Sequence, residues 1–215
     1  MKVAVIGATG FVGSAITKEL ADRKHTVTAI TRNPGKHAES SITELKADAN
    51  NVNELATALE NHDVVVSAYN AGWENPNIYD DFLAGSKAIQ EAVRKAGVKR
   101  FIVIGGGGSL FVAPGVQAVD TPEFPAEIRQ AASAARDYLT IIKEEKDIDW
   151  AFFSPAFEMH AGITTGRTGN YRLGTENPVF DEHQRSVLSV EDLAVVIADE
   201  VEQPKHHQVR FTAGY

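Results

Sequence analysis

The sequence contains no cysteine, which excludes disulfide bonds and thiolate chemistry and fits a reducing compartment. It also has no long apolar run: no window approaches the roughly 18 consecutive apolar residues that a membrane-spanning helix needs. The apolar stretch near the N-terminus, residues 3–6, is far shorter than the apolar core of a secretory signal peptide. These absences predict a soluble cytoplasmic protein with no membrane partner.

Positive charge is the third scarcity, because 21 Lys and Arg residues stand against 29 Asp and Glu residues, a formal net charge of -8. Binding to nucleic-acid phosphates needs clustered cations, so nucleic acid is not an expected partner. The 215 residues, 43% of them hydrophobic, are enough for one well-buried domain and too few for two large ones. We therefore expect one domain over residues 1–215, acting as a monomer or a homodimer.

Apolar runs of two periodicities alternate along the chain. Strands are expected at residues 3–6, 26–31, 43–49 and 63–69, then in "RFIVIGGGG", "DWAFFSPA" and "QVRFTA", with weaker pieces at 168–174 and 185–190. Helices are expected at 11–24, 51–60, 78–96, 126–146 and 190–203, and a Gly- and Pro-rich loop at 105–125.

Strands that alternate with helices form a parallel sheet with helices on both faces, an α/β class. Ligands of such sheets bind at the carboxyl ends of the strands. Gly7 follows the first strand, Gly105 begins the glycine run of the fifth, and Ala68 and Tyr69 end the fourth. We expect these residues at the ligand-binding edge, with residues 155–189 adding a small substrate-side region.

The segment "GATGFVG", residues 7–13, joins the first strand to the first helix and has glycine at every third position. In a dinucleotide-binding loop the first glycine permits a tight turn, the second lets the backbone approach a pyrophosphate, and the third lets the helix pack on the sheet. The helix N-terminus then offers N–H groups to the phosphates. A purely structural turn is the alternative. We predict that the residues binding a dinucleotide here are Gly7, Thr9, Gly10, Phe11, Val12 and Gly13.

The end of the second strand indicates which dinucleotide binds. NAD-specific sites usually place an Asp or Glu there to bind the ribose 2′-hydroxyl, whereas this chain has Thr31-Arg32-Asn33. Arg32 could pair with a 2′-phosphate and stack on adenine, so NADPH is favoured over NADH. The alternative is a solvated surface arginine. After the third strand, Asp48 beside Ala49 could accept a hydrogen bond from the adenine amino group, with helix capping as an equal alternative.

The segments "GATGFVG", "DVVVSAYN", "FIVIGGGGS" and "DWAFFSPA", with "TR" after the second strand, together resemble an atypical short-chain dehydrogenase/reductase of the NmrA-like type. The tail, from "GRTGNYRLG" through "SVLSVEDLAVVIADEVEQP" to "RFT", is similar to that of the small NAD(P)H-flavin reductases related to biliverdin reductase B. The resemblance covers essentially the whole chain. It implies a Rossmann-like doubly wound sheet with a small C-terminal substrate-binding extension, a nicotinamide dinucleotide, and hydride transfer to a flavin or a similar planar acceptor.

The same resemblance implies roles beside the nicotinamide. In that family the backbone around the proline after the sixth strand lies against the nicotinamide, which corresponds here to Ser154, Pro155 and Ala156. A serine after the fifth strand approaches the nicotinamide or the acceptor, which corresponds to Ser109. Phe157 stands where biliverdin reductase B has a histidine, which puts a proton-donor role and tetrapyrrole reduction in doubt. Its ring could instead stack on an isoalloxazine. Ser109 and Phe157 are therefore the candidate catalytic residues.

The tyrosine and lysine of "DYLTIIKEEK" lack the spacing of the catalytic pair in proton-transferring relatives. Such a pair stands four residues apart on one helix face, whereas Tyr138 and Lys143 are five apart and point roughly 140° from each other. We expect Tyr138 to be a packing residue. Hydride transfer to a flavin needs no positioned acid, whereas epimerases and dehydratases need proton abstraction and are disfavoured.

Two functions are consistent with this pattern. The first is an NADPH-dependent oxidoreductase that reduces a planar small molecule (FMN, FAD, riboflavin or a quinone-like acceptor), with flavin as a substrate rather than a tightly bound cofactor. The alternative is a non-enzymatic dinucleotide sensor that binds a protein partner, as some NmrA-like proteins are. No metal site is predicted. Only one histidine, His160, lies near the expected pocket; the others are His25, His37, His62, His183, and the adjacent His206 and His207, which are expected to be solvated.

Overall fold

The computed structural model describes residues 1–35 and 41–215 of the chain. Its strands, in chain order, are β1 (Lys2–Ile6), β2 (Thr26–Thr31), β3 (Ile42–Lys46), β4 (Val64–Ser67), β5 (Arg100–Ile104), β6 (Phe111–Ala113), β7 (Val116–Gln117), β8 (Asp149–Phe153), β9 (Arg172–Gly174) and β10 (Val209–Gly214). Its helices are α1 (Phe11–Asp22), α2 (Val52–Leu59), α3 (Ile78–Ala96), α4 (Ala126–Ile142) and α5 (Val190–Glu202).

Within these described residues, one sheet has the strand order β3-β2-β1-β4-β5-β8-β10-β9. Neighbouring strands are parallel except β10 and β9, which are antiparallel. Helices α1 and α5 pack on one face, and α2, α3 and α4 pack on the other. The predicted α/β class and doubly wound parallel sheet are confirmed. The strand order changes direction between β1 and β4, where ligands of such sheets bind.

Buried β-branched runs and specific end residues explain why these elements form. Strand β4 is buried along its whole length, as expected of a strand covered on both faces. The side chain of Asn51 accepts a hydrogen bond from Glu54 N (3.2 Å) at the start of α2, and that of Ser189 accepts from Asp192 N (3.0 Å) at the start of α5. Gly97 ends α3 with a φ of 72°, in the left-handed region. The expected bounds of α3 are confirmed, and those of α2 and α5 are confirmed to within one residue.

Helix α4 ends at Ile142, so its predicted extension to residue 146 is wrong. The chain leaves the helix because Glu145 turns inward and is only 5% exposed. Its carboxylate accepts a hydrogen bond from Gln90 (3.0 Å) and pairs with Arg94 on α3. Two contacts from another helix outweigh the local helix preference of the "KEEK" segment.

The expected loop at 105–125 is largely structured. It contains single 3-10 turns at Gly107–Ser109 and Ala118–Asp120, with the antiparallel hairpin of β6 and β7 between them. Gly115 has a φ of 73° at the hairpin turn, a conformation that favours glycine. The hairpin could not be predicted from the sequence because its strands are only three and two residues long.

Two of the predicted strands differ from those in the structure. The piece at 185–190 is not a strand, because Val187 makes one isolated bridge with Glu158 and Ser189 already caps α5. The third strand ends at Lys46 rather than at residue 49, since the chain turns where Asp48 Oδ1 accepts from Asn50 N (2.9 Å). No helix in the described part of the chain is long and apolar enough to span a bilayer.

Candidate functional site: a dinucleotide loop beside an aromatic wall

Two of the three loop glycines are required by the packing of the protein itself. Gly7 has a φ of 77°, and a Cβ there would lie 2.5 Å from the carbonyl oxygen of Ala68 at the end of β4. A Cβ on Gly13 would lie 2.1 Å from the carbonyl oxygen of Gly7. Real Cβ atoms do not approach a backbone oxygen so closely, so the tight turn and the seating of α1 depend on these two residues.

Gly10 differs from both, because nothing in the protein explains the lack of a side chain there. Its φ is -79°, which any residue adopts, and a Cβ would meet only the oxygen of Gly7 at 3.4 Å, an ordinary contact. The residue is exposed at the N-terminus of α1, whose first turn has no acidic side chain. An exposed glycine at a helix N-terminus suits a ligand that must touch the backbone, as a pyrophosphate does.

The neighbours of Gly10 complete the loop. Phe11 is 47% exposed and Val12 is half-buried at the first turn of α1. Thr9 is half-buried, and its hydroxyl lies 3.4 Å from that of Thr31 at the end of β2. The structure therefore places the loop beside the end of β2, where the ribose of a dinucleotide would be read.

Arg32, Asp48 and Tyr69 follow the ends of three neighbouring strands, β2, β3 and β4. Burial raises the pKa of the Tyr69 phenol; Asp81 and Asp48 raise it further, whereas Arg32 lowers it. Tyr69 donates to the carbonyl of Asp81 (3.2 Å), and Arg32 is exposed. A half-buried aromatic ring and an exposed guanidinium at the same edge of the sheet are groups that can bind an adenine and a phosphate.

Asp48 has a local structural role, but not the helix-capping one. Its carboxylate accepts from the backbone N–H of Asn50, and Asn51 is the residue that caps α2. Ala49 beside it is 9% exposed. Capping of α2 by Asp48 is therefore excluded, and the predicted contact with adenine stays a prediction.

On the other side of the sheet centre, the loops that follow β5 and β8 touch through their backbones. Gly105 N donates to Phe153 O (2.8 Å), and a Cβ on Gly105 would lie 2.0 Å from the ring of Phe152. A Cβ on Gly107 would lie 2.5 Å from the carbonyl oxygen of Pro155. The glycines after β5 therefore allow the backbone before Phe157 to lie against this loop.

Two buried hydroxyls join the same loops. Ser109 Oγ lies 2.9 Å from Ser154 Oγ, and both residues are 0% exposed. Ser109 Oγ also donates to Gly106 O (2.9 Å), so the proton between the two serines comes from Ser154. Both hydroxyl protons are thus used inside the protein. Pro155 and Ala156, which follow, are buried.

Phe157 and Phe180 form an exposed aromatic wall at the end of this backbone. Each side chain is 41% exposed, and their ring centres are 6.5 Å apart at an interplanar angle of 69°. An ion pair between Glu158 and Arg185 links their segments. Phe180 was not predicted from the sequence, because it lies 23 residues from Phe157 in the chain and is brought to it only by the folding of residues 155–189.

Tyr138 is a core residue in the structure. It is 1% exposed, and its hydroxyl donates to Oε1 of Gln90 (3.1 Å) between α4 and α3. Burial raises the pKa of this phenol well above its usual range. Lys143 is exposed at the end of α4. The predicted packing role of Tyr138 agrees with this geometry.

The histidines are spread over the fold. His206 is not solvated, so that expectation is wrong: its Nδ1 lies 2.8 Å from Glu200, and its ring stacks on Phe211 with centres 4.1 Å apart. His207 is exposed, as is His160, whose Nδ1 accepts from Gly162 N. His37 lies outside the described residues. Within residues 1–35 and 41–215, no cluster of three His, Cys, Asp or Glu side chains could hold a metal ion.

The fold and the glycine loop define a protein that binds a nicotinamide dinucleotide. A model of the NAD(P)H-binding family matches residues 7–204, and the chain belongs to that family. The uncharacterized protein YwnB of Bacillus subtilis (strain 168) is 37% identical over 216 residues, covering 99% of this chain and 97% of YwnB.

Two solved structures are similar over the full length of the chain. One from Bacteroides thetaiotaomicron, called a "putative epimerase", has a TM-score of 0.91 and 43% identity, covering 100% of this chain and 96% of that one. One from Streptococcus pneumoniae TIGR4, called a "putative NADH-flavin reductase", has a TM-score of 0.85 and 32% identity, covering 100% and 99%. The expected class, an atypical short-chain dehydrogenase/reductase with a nicotinamide cofactor, is confirmed.

Proposed function

We propose that this protein is an NADPH-dependent oxidoreductase that passes hydride to a flavin or a similar planar acceptor, with no Tyr–Lys pair taking part. The acceptor is a dissociable substrate of the FMN, FAD, riboflavin or quinone-like type. The observation that carries the proposal is the exposed ring of Phe157, which directly follows the buried Ser154–Pro155–Ala156 backbone at the carboxyl edge of the sheet. An aromatic face at that point suits a flat, conjugated molecule.

The residues of this chain would bind and orient rather than donate protons. Gly10 and the first turn of α1 would hold the pyrophosphate, and Arg32 the 2′-phosphate. A bound reduced nicotinamide supplies the hydride. The Ser109–Ser154 hydrogen bond would keep the two loops at a fixed separation beside Phe157. Because both serine protons are already used, the proton that an acceptor needs would come from solvent.

The buried Tyr138 argues against reactions that need a positioned base, including epimerisation. We expect Tyr138→Phe to leave flavin reduction unchanged within twofold. It should lower the free energy of unfolding by about 1 kcal/mol, because the amide of Gln90 loses a buried partner. Steady-state kinetics and urea unfolding measure the two quantities. A large loss of turnover with an intact fold would contradict the absence of a proton-transfer role.

A sensor that binds NADPH and a protein partner is the second candidate. Trp73, in the turn after β4, is 68% exposed, an unusual position for tryptophan that a partner surface could cover. Stopped-flow mixing of the protein with NADPH and FMN separates the two functions. If the protein is a reductase, we expect many turnovers, with FMN reduced far faster than NADPH reduces it in the absence of protein. Tight NADPH binding without acceleration would favour the sensor. The cytoplasm, which supplies NADPH, stays the proposed location.

Replacing Phe157 by alanine should raise the KM for FMN about 10-fold while leaving the affinity for NADPH unchanged, because a stacking face worth about 1–3 kcal/mol is lost. Phe157→Tyr keeps the ring and should restore the KM. Val209→Ala is the control, since Val209 is similarly exposed (43%) but begins β10 at the opposite edge of the sheet. Equal effects of the two alanine variants would remove Phe157 from the acceptor site.

A further inference from the structure

Arg210 is a buried charge that contacts the proposed acceptor region. It lies within β10, and its side chain is 0% exposed. It pairs in register with Phe152 of β8 and so points to the face covered by α3 and α4. A guanidinium in such a place is costly unless its protons are well used. The contacts of the guanidinium therefore indicate which part of the structure it stabilises.

The guanidinium of Arg210 connects two segments that are far apart in the sequence, residues 109–111 and the loop at Glu176. Nη1 donates to the carbonyl oxygen of Ser109, after β5. Nη2 donates to the carbonyl oxygen of Glu176 (3.3 Å) and pairs with its carboxylate. The plane lies over the ring of Phe111 in the hairpin, 5.1 Å from its centre. These segments belong to 105–125 and 155–189, the two regions expected beside the acceptor.

Further hydrogen bonds make this junction rigid. Gln117 Nε2 donates to the same Ser109 oxygen (2.8 Å). Phe111 N donates to Glu176 O (2.9 Å), and Asn177 Nδ2 donates to Phe111 O (2.8 Å). The backbone of Ser109 is thus fixed through its carbonyl, while its hydroxyl contacts Ser154, three residues before Phe157.

We infer that Arg210, paired with Glu176, is a positioning residue for the acceptor: it sets the place of the Ser109 turn and the hairpin relative to Pro155 and Phe157. The inference rests on the proposed function, since it assigns a purpose to the region that would hold the flavin. A lysine could not replace it, because only the planar fork of arginine reaches two carbonyls and a carboxylate from one position.

Arg100 provides a matched control. It is also buried (6% exposed), it also forms a buried ion pair, with Glu200 (2.5 Å), and its Nε, like that of Arg210, has no partner among the described residues. It begins β5 at the amino edge of the sheet, the edge opposite the dinucleotide loop. Arg100→Lys therefore reproduces the loss of a buried guanidinium without touching the acceptor region.

The test compares Arg210→Lys, Glu176→Gln and Arg100→Lys in FMN reduction and in NADPH binding. Arg210→Lys should lower kcat/KM for FMN roughly 10- to 100-fold, as small misplacements of a reacting pair do, with the NADPH Kd changed less than twofold. Glu176→Gln, whose side chain is half-exposed and which should fold readily, should change the same quantity in the same direction. Equal losses of kcat/KM in the two lysine variants, or none in Arg210→Lys, would overturn the inference.

Hydrogen exchange gives a measurement that does not depend on the reaction. Amides of residues 105–117 should lose protection in Arg210→Lys and Glu176→Gln and keep it in Arg100→Lys. If the natural protein reduces no flavin, the proposed function fails, and the exchange experiment still shows whether Arg210 holds this loop. Unchanged protection of 105–117 in both the Arg210 and Glu176 variants would overturn the positioning role itself.

Discussion

Replacing Gly10 by alanine is expected to leave the fold intact and to weaken NADPH binding by about 100-fold. The backbone at Gly10 already has a conformation open to alanine, and the new methyl group would meet only the oxygen of Gly7 at 3.4 Å. The free energy of unfolding should therefore change by less than about 1 kcal/mol, the difference expected at a helix N-cap. In the proposed site, however, the methyl group would stand where a pyrophosphate oxygen approaches the backbone, and loss of two hydrogen bonds to charged oxygens accounts for the factor.

Gly13→Ala is the contrasting variant in the same loop. Its Cβ would lie 2.1 Å from a backbone oxygen, so α1 must move away from the sheet and the fold itself should be destabilised. Urea unfolding and fluorescence titration with NADPH separate the two cases. If Gly10→Ala binds NADPH as tightly as the natural protein does, the loop is a structural turn and the proposed site is wrong.

Sequence reasoning succeeded where structure depends on neighbours along the chain. The starts of α2 and α5, capped by Asn51 and Ser189, and the end of α3 at the left-handed Gly97 each follow from contacts within a few residues. The parallel sheet could be predicted because buried strands alternate with amphipathic helices along the chain, and few topologies are compatible with that order. Tyr138 could be assigned to packing because helical spacing alone separates it from Lys143.

The features that were missed depend on contacts across the fold. Helix α4 ends early because Glu145 meets Gln90 and Arg94 of another helix. His206 is largely buried because Glu200 and Phe211 surround it. Phe180 and the carboxylate of Glu176 reach the proposed acceptor region from segments that have no distinctive local pattern. Side-chain pairings across such sequence distances carry no periodicity, so only the three-dimensional structure reveals them.

Removal of the Arg32 side chain is expected to raise the KM for NADPH about 10- to 100-fold while changing the KM for NADH less than twofold. The two dinucleotides differ only in the 2′-phosphate, and a charge-assisted hydrogen bond contributes about 1.5–3 kcal/mol. Arg32 is exposed immediately after β2, at the edge of the sheet where the proposed site would hold the adenosine. Steady-state kinetics with both dinucleotides at saturating FMN measures the ratio.

Arg32→Asp makes the test sharper, because a carboxylate repels the 2′-phosphate and accepts a hydrogen bond from the 2′-hydroxyl, so the preference should reverse towards NADH. Lys99→Ala is the charge-matched control: Lys99 is exposed immediately before β5, at the opposite edge of the sheet. A general effect of net charge would appear in all three variants and with both dinucleotides. Equal changes for NADPH and NADH in Arg32→Ala would show that this arginine does not read the 2′-phosphate, and dinucleotide selection would then have to lie elsewhere in the loop.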